Sequence, residues 1–399
     1  MTRTWQTIGR PHRRTDALGK VTGRSRFAAD MAAPHMLHGF VLMARRPHAR
    51  ILAIDTEEAR ALPGVRAILT GADAPAGRTF GGVIKNQPVL ASDRVRYYGD
   101  GVALVAAETA EAGRAALDRI TVTYEDLPTV TDPEAALASG APELHPSISV
   151  PGEPGLRLPN LCARHHISKG DVAAALAGAD VVIERTYRTA RIEHAYLEPE
   201  AVLAEESDDG GVRVTGSIQN IFTTRRALGE VLDLDLARVT VKQATLGGSF
   251  GGKDEVMTQM AARAALLARA THRPVKMVHT REESMHISYK RHPYVLHYRI
   301  GARRDGRLAG IAVRMVADAG AYASMSPFVT WRSAVQATGA YECPHAEVEV
   351  LAAYTNNTYT GAMRGFGSPQ VNFAIEALMD ELAEHLGIDP LELRRTNMF

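Results

Sequence analysis

The sequence predicts an α+β fold in two domains. Three observations carry that reading. From about residue 15 to 130, strand-like and helix-like patterns alternate. From Asp132 to Asn160 the chain becomes dense in Pro, Gly, Ser and Ala and loses its hydrophobic period. From His165 onward a second series of strands and helices begins. We place a first domain at 1–135, an interdomain connection at 136–164 and a second domain at 165–399. A length of 399 residues accommodates two or three domains.

In the first domain, "HGFVLMA" and "GVRAIL" read as strands. "GVALVAAE", "TAEAGRAALDRI" and "TVTYEDL" then read strand, helix, strand, the composition of a βαβ unit. In the second domain "DVVIERTYRTA", "GVRVTGSIQ" and "RVTVKQA" read as strands. "NIFTTRRALGEVLDL" reads as a helix that Asn220 can cap. "DEVMTQMAARAALLARA" has the pattern of an amphipathic helix, with acids at its start where they suit the dipole. Two long strands flank a turn at Arg304-Asp305-Gly306, and Ser368-Pro369 forms an N-cap and N1 pair for a last long helix.

Composition excludes several functions. Hydrophobic residues are 45% and charged residues 23%, so an ordinary globular core is available. Net charge is +1 with no basic stripe, which argues against a nucleic-acid partner. Cys162 and Cys343 are the only two cysteines, too few for an iron–sulfur cluster or a disulfide framework, and they fit a reducing cytoplasm. Arg13-Arg14 is followed by no apolar segment, so a twin-arginine leader is not expected. The apolar run Met257–Ala270 is too short to span a membrane and contains Arg263 and Arg269.

The chemistry concentrates in "TLGGSFGGKDEV", Thr245 to Val256. Gly247, Gly252 and Lys253 have the spacing of a phosphate-binding P-loop. That motif needs Ser or Thr after the lysine to hold magnesium, and here Asp254 stands there. The order of glycines is also wrong for a dinucleotide fingerprint. A plain glycine turn is the bland alternative, but four glycines within six residues cost conformational entropy. A second segment, "RGFGSPQ", again sets a phenylalanine among glycines ahead of a helix. Two such segments with bare amides suit one large anionic or oxo-bearing ligand, and the aromatics suit a flat ring.

These segments resemble the molybdopterin-binding subunit of the xanthine dehydrogenase and aldehyde oxidase family, the molybdenum hydroxylases. Phe250-Gly251-Gly252-Lys253 and its preceding glycines match one family segment, and Ala362 to Gln370, "AMRGFGSPQ", matches another. "EHAYLEPE", Glu193 to Glu200, matches a third, and the opening "RRTDALGKVTGRSRFAADM" resembles the start of the family's α/β hammerhead domain. The resemblance implies an N-terminal α/β hammerhead domain followed by the first molybdopterin-binding domain.

It also implies roles. Gln219, 31 residues before Phe250, matches a glutamine that contacts an oxo ligand of molybdenum. Gly248, Phe250, Gly251 and Arg364 match cofactor-contacting positions. Asp254 matches a substrate-binding glutamate, one methylene shorter. Arg332, 32 residues before Arg364, matches an arginine that stabilises charge on the substrate, and Phe366 an aromatic against the substrate ring. Each residue has a plainer reading: Arg332 as a surface cation on Trp331, Asp254 as a helix cap, Gln219 as a strand-end residue satisfied by backbone. Molybdenum would be held by the pterin dithiolene, so no protein metal ligands are expected.

The implied activity is hydroxylation of an electron-poor carbon in a purine- or nicotinate-like heterocycle, with water as the oxygen source. Implied partners are a second molybdopterin-domain chain carrying the catalytic glutamate, a [2Fe–2S] subunit and an FAD subunit. The pterin is expected in its cytosine dinucleotide form and the complex in the cytoplasm. We expect a naturally split subunit, because the chain stops where the family's first molybdopterin domain ends. The alternatives are an aldehyde or carbon monoxide oxidising member, or a non-catalytic molybdopterin-binding half-subunit.

Overall fold

The computed structural model describes residues 5–75, 77–152 and 155–399; Glu153 and Pro154 of the expected connection lie outside them. Two sheets dominate. A seven-stranded mixed sheet runs, in spatial order, Val239–Gln243, Val212–Gly216, Ala201–Glu206, Val275–Val278, Leu37–Met43, Gly101–Ala107 and Val65–Thr70. Strands from residues 37–107 and from residues 201–278 therefore share one sheet, joined where Leu37–Met43 pairs parallel to Val275–Val278. A five-stranded sheet runs Val181–Arg188, Tyr294–Ala302, Leu308–Gly320, Ala346–Tyr354 and Leu161–Lys169. The two long strands of this sheet turn at Gly306, with φ of +86°, where the sequence places a turn.

The helix Ala110–Leu117 and its flanking strands form as the pattern indicates, but not as a parallel βαβ unit. Gly101–Ala107 lies in the seven-stranded sheet, whereas Thr121–Asp126 pairs antiparallel with Ala49–Asp55 in a separate three-stranded sheet. Burial explains the split: Gly101–Ala107 is buried throughout, while Thr121–Asp126 is largely exposed. The connection is docked. Asp132 caps a short helix Pro133–Ala136, and Leu144 and Val150 are buried against the five-stranded sheet.

The helix Glu255–Thr271 is not amphipathic in its setting. It is buried on nearly every side, packed under the seven-stranded sheet with Phe80, Val89 and Leu90 also against it. Its run of Ala261, Ala262, Ala264, Ala265 and Ala268 allows that close approach. The helix Ser368–Leu386 covers the five-stranded sheet. Gly367, in the left-handed region, takes its N-cap position, and Ser368 is the first helical residue rather than the cap. The amide of Ser368 already donates to the carbonyl of Gly365 at 3.0 Å, closing a turn one residue earlier than expected.

Each large sheet thus delivers a strand into a glycine segment and out into a long helix. The two segments meet at a shared seam of aromatic rings. Tyr97, Tyr289, Tyr322 and Tyr359 pack edge to face around Val256, Ala321 and Ala362, with centroids 5.6–6.1 Å apart.

Candidate active site at two facing glycine segments

The first segment leaves the strand Val239–Gln243 and folds into a tight loop. Gly248 and Gly251 have φ of +106° and +101°, and Phe250 is held at +53°. A Cβ at Gly251 would sit 2.6 Å from the carbonyl oxygen of Ala362, so only glycine fits there. The amide of Gly252 donates to the carbonyl of Ser249 at 2.8 Å, closing the loop. Among the described residues, the amides of Gly248, Phe250 and Gly251 donate to no protein group. Phe250 is 49% exposed beside them.

Lys253 points away from this surface. Its side chain is fully buried, with Nζ 2.7 Å from the Glu198 carboxylate and 4.7 Å from the Tyr196 ring centroid. Glu198 also accepts the amide of Gly247 at 2.7 Å. Burial pushes the ammonium pKa down and the Glu198 charge opposes that. This lysine braces the loop and is not placed to meet a phosphate. The "EHAYLEPE" stretch supplies the rest of the brace. Nε2 of His194 donates to the carbonyl of Ala362 at 2.8 Å, the Tyr196 hydroxyl donates to Glu200, and Glu193 pairs with Lys290.

The second segment is bonded directly to the first. The amide of Arg364 donates to the carbonyl of Phe250 at 2.8 Å, and the Tyr289 hydroxyl donates to the carbonyl of Gly251 at 2.6 Å. Phe366, with φ of +51°, is half-buried against the tyrosine seam. A Cβ at Gly367 would meet the carbonyl of Val329 at 2.5 Å. This close approach sets the helix Ser326–Val335 against the segment.

Gln219 lies over the first loop. Its amide N–H donates to the carbonyl of Lys253 at 2.8 Å, and its side-chain carbonyl accepts from the Ser249 hydroxyl. Asp254 is buried at the start of the helix Glu255–Thr271, but its side chain makes no capping bond. Burial pushes its carboxyl above the ordinary aspartate value, and a hydrogen bond from Asn220 pulls it back in part. Asn220 does two tasks: its oxygen also caps the helix Ile221–Leu232 at the amide of Thr223, as the sequence indicates.

Arg332 lies exposed in the last turn of the helix Ser326–Val335. Among the described residues its guanidinium makes no hydrogen bond or ion pair. The Trp331 ring is edge-on to His165, with centroids 5.6 Å apart. The structure therefore links Gln219, Gly248, Phe250, Gly251, Asp254 and Arg364 in one constellation. Phe366 joins it through the second segment. Among the described residues Arg332 makes no contact with it itself; its helix joins it at Val329 and at Ser333, whose hydroxyl donates to the carbonyl of Gly367 at 3.3 Å.

Three site residues escape the sequence reading. Ser249 shows in sequence only as a spacer among glycines, yet it holds Gln219. Asn220 shows only as a cap. Glu255 follows Asp254 and is the sharper omission. Its carboxyl accepts from the Ser324 hydroxyl, and burial pushes its pKa up to about 7 against that bond, with Asp254 adding to the rise. Tyr289 and Tyr359 also lie within electrostatic reach of it.

The family model of the a/b hammerhead domain of aldehyde oxidase and xanthine dehydrogenase matches residues 22–128, and that of the molybdopterin cofactor-binding domain matches residues 157–398. The nicotinate dehydrogenase large molybdopterin subunit of Eubacterium barkeri is 40% identical over 397 residues, covering 100% of this chain and 90% of that one. The chain belongs to the molybdenum hydroxylases of the xanthine dehydrogenase and aldehyde oxidase family. A probable xanthine dehydrogenase component of Bacillus subtilis is 42% identical over 98% of this chain. The aldehyde oxidoreductase of Desulfovibrio gigas superposes with a TM-score of 0.89 at 31% identity over 97% of this chain. This molybdenum hydroxylase chain spans 51% and 43% of those two proteins. Its site fits the cofactor: unpaired amides at Gly248, Phe250 and Gly251 suit oxo and phosphate oxygens, and the exposed Phe250 ring suits a flat pterin.

Proposed function

We propose that this chain is the molybdenum-cofactor-binding subunit of a multi-subunit hydroxylase acting on an electron-poor carbon of an N-heterocycle, purine- or nicotinate-like. One observation carries the choice of substrate class: the Arg332 guanidinium, without a partner among the described residues, is carried on the helix set against the Phe366–Gly367 turn. The full-length similarity to a nicotinate dehydrogenase subunit supports the same class.

When bound, the molybdenum centre supplies two-electron redox chemistry, with water as the source of oxygen. The amides of Gly248, Phe250 and Gly251, with Arg364 and the Gln219 side chain, hold and orient it. Asp254 binds a ring nitrogen. Burial raises its pKa above the ordinary aspartate value, and its carboxyl accepts a hydrogen bond from a ring N–H. Phe366 packs on the substrate ring. Arg332 stabilises the negative charge that develops on the heterocycle, where one such donor contributes on the order of 3 kcal/mol to the barrier.

The general base is a glutamate on a second molybdopterin-domain chain, and electrons leave through [2Fe–2S] and FAD subunits. The pterin is taken as the cytosine dinucleotide form and the complex as cytoplasmic. A second reading, an aldehyde oxidising member, rests on the similarity to the D. gigas aldehyde oxidoreductase. Co-purification of the tagged chain with partner chains, followed by turnover of nicotinate, xanthine and benzaldehyde, separates them. Nicotinate or xanthine turnover that falls on Arg332→Ala, at unchanged molybdenum content, supports the first reading. Turnover confined to benzaldehyde refutes it. A chain that carries molybdenum but turns over nothing with its partners is a non-catalytic half-subunit.

A further inference from the structure

We infer that Glu255 is a positioning residue for Arg332, acting through Ser324. The inference rests on the substrate-facing role proposed above for Arg332. Glu255 directly follows Asp254, at the first turn of the helix that leaves the first glycine segment. Its carboxyl accepts a hydrogen bond from the hydroxyl of Ser324. Ser324 is 2% exposed and precedes the helix Ser326–Val335 by two residues. That helix carries Arg332 in its last turn. One hydrogen bond thus ties the element bearing Asp254 to the element bearing Arg332, across the boundary between the two sheets.

Two features mark this bond as more than incidental. Ser324 is held at φ of +43°, a left-handed conformation that costs a serine energy, and the Glu255 bond is its side-chain hydrogen bond. The other carboxylate oxygen of Glu255 faces the loop at Gly82, where a Cβ would sit 3.5 Å from it and 3.4 Å from the Phe328 ring. The carboxyl therefore sits between the Gly82 loop and the Ser324 segment, and its only side-chain hydrogen bond among the described residues goes to Ser324. Loss of that bond frees the start of the helix to shift. A displacement near 1 Å at a charged substrate group is enough to cost on the order of a hundredfold in rate.

The test uses the complex with its partner chains and nicotinate as probe. Glu255→Ala and Ser324→Gly are each made in the wild-type and in the Arg332→Ala background. Ser324→Gly removes the hydroxyl while relieving the backbone strain, so it reads the link even if Glu255→Ala fails to fold. The expected result is a fall in kcat/KM of roughly tenfold to a hundredfold for each, carried by kcat, at unchanged molybdenum content. Glu255→Gln, which keeps an acceptor for Ser324, restores most of the loss. In the Arg332→Ala background neither substitution costs anything further. Losses that add to that of Arg332→Ala, or no loss in the background that retains Arg332, overturn the inference while leaving the proposed function standing. An Arg332→Ala enzyme as fast as wild type removes the proposed function, and the inference with it.

Discussion

The carbonyl of Phe250 accepts a hydrogen bond from the amide of Arg364 at 2.8 Å, joining two glycine segments far apart in sequence. That bond makes one wall of two loops. It works because Gly251 lets the backbones approach: a Cβ there would collide with the carbonyl of Ala362. Gly251→Val is therefore expected to lower cofactor occupancy severalfold. Bound molybdenum per chain, measured by elemental analysis of the purified complex, checks it. Full occupancy would show that the close approach is not needed for binding.

Lys253 is the structural key beneath that wall. Lys253→Met leaves the Glu198 carboxylate buried without its counter-charge, a loss that typically costs about 3–5 kcal/mol. Thermal unfolding should show a marked fall in Tm. If Lys253 instead served the ligand, Tm would hold and only occupancy would fall.

Asp254 and Asn220 act as a pair. Asp254→Asn removes the titrating carboxyl and is expected to raise KM for nicotinate more than it lowers kcat. Asn220→Ala removes both the bond to Asp254 and the cap of the helix Ile221–Leu232, so it also costs about 0.5–2 kcal/mol of stability. Steady-state kinetics and urea unfolding on the same preparations distinguish the two effects. An Asn220→Ala protein of wild-type stability would contradict the cap.

Glu255 gives a pH signature. Its pKa rises from an ordinary 4.5 in the unfolded chain to about 7 in the fold. Its contribution to stability is therefore fully present below pH 4.5 and is lost as pH rises through about 7. Glu255→Gln removes that loss. The variant should gain stability over wild type between about pH 5 and pH 8, by up to about 3 kcal/mol at the upper end. Parallel pH dependence of the two proteins would show that the carboxyl is not desolvated.

Much of this was legible in sequence because glycine positions are dictated by backbone conformation. Gly248, Gly251, Gly365 and Gly367 all have positive φ, and the two segments they mark are the two that meet. Strands and helices with clear periods, such as Leu37–Met43 and Ile221–Leu232, form where their patterns place them. What sequence conceals is partnership at a distance. No period reveals that Thr121–Asp126 leaves the sheet of Gly101–Ala107, because both read as strands and only burial separates them. Lys253 looks like a ligand group until Glu198 is seen beside it. Glu255 looks like a helix-dipole acid until Ser324 is found at its carboxyl.

The most direct test of the proposed hydroxylase is isotopic. The complex is incubated with nicotinate in water enriched in 18O, with an artificial electron acceptor, and the hydroxylated product is weighed by mass spectrometry. The expected product carries one 18O atom drawn from water. Product whose new oxygen comes from dioxygen, or no product from a complex fully loaded with molybdenum, would contradict it.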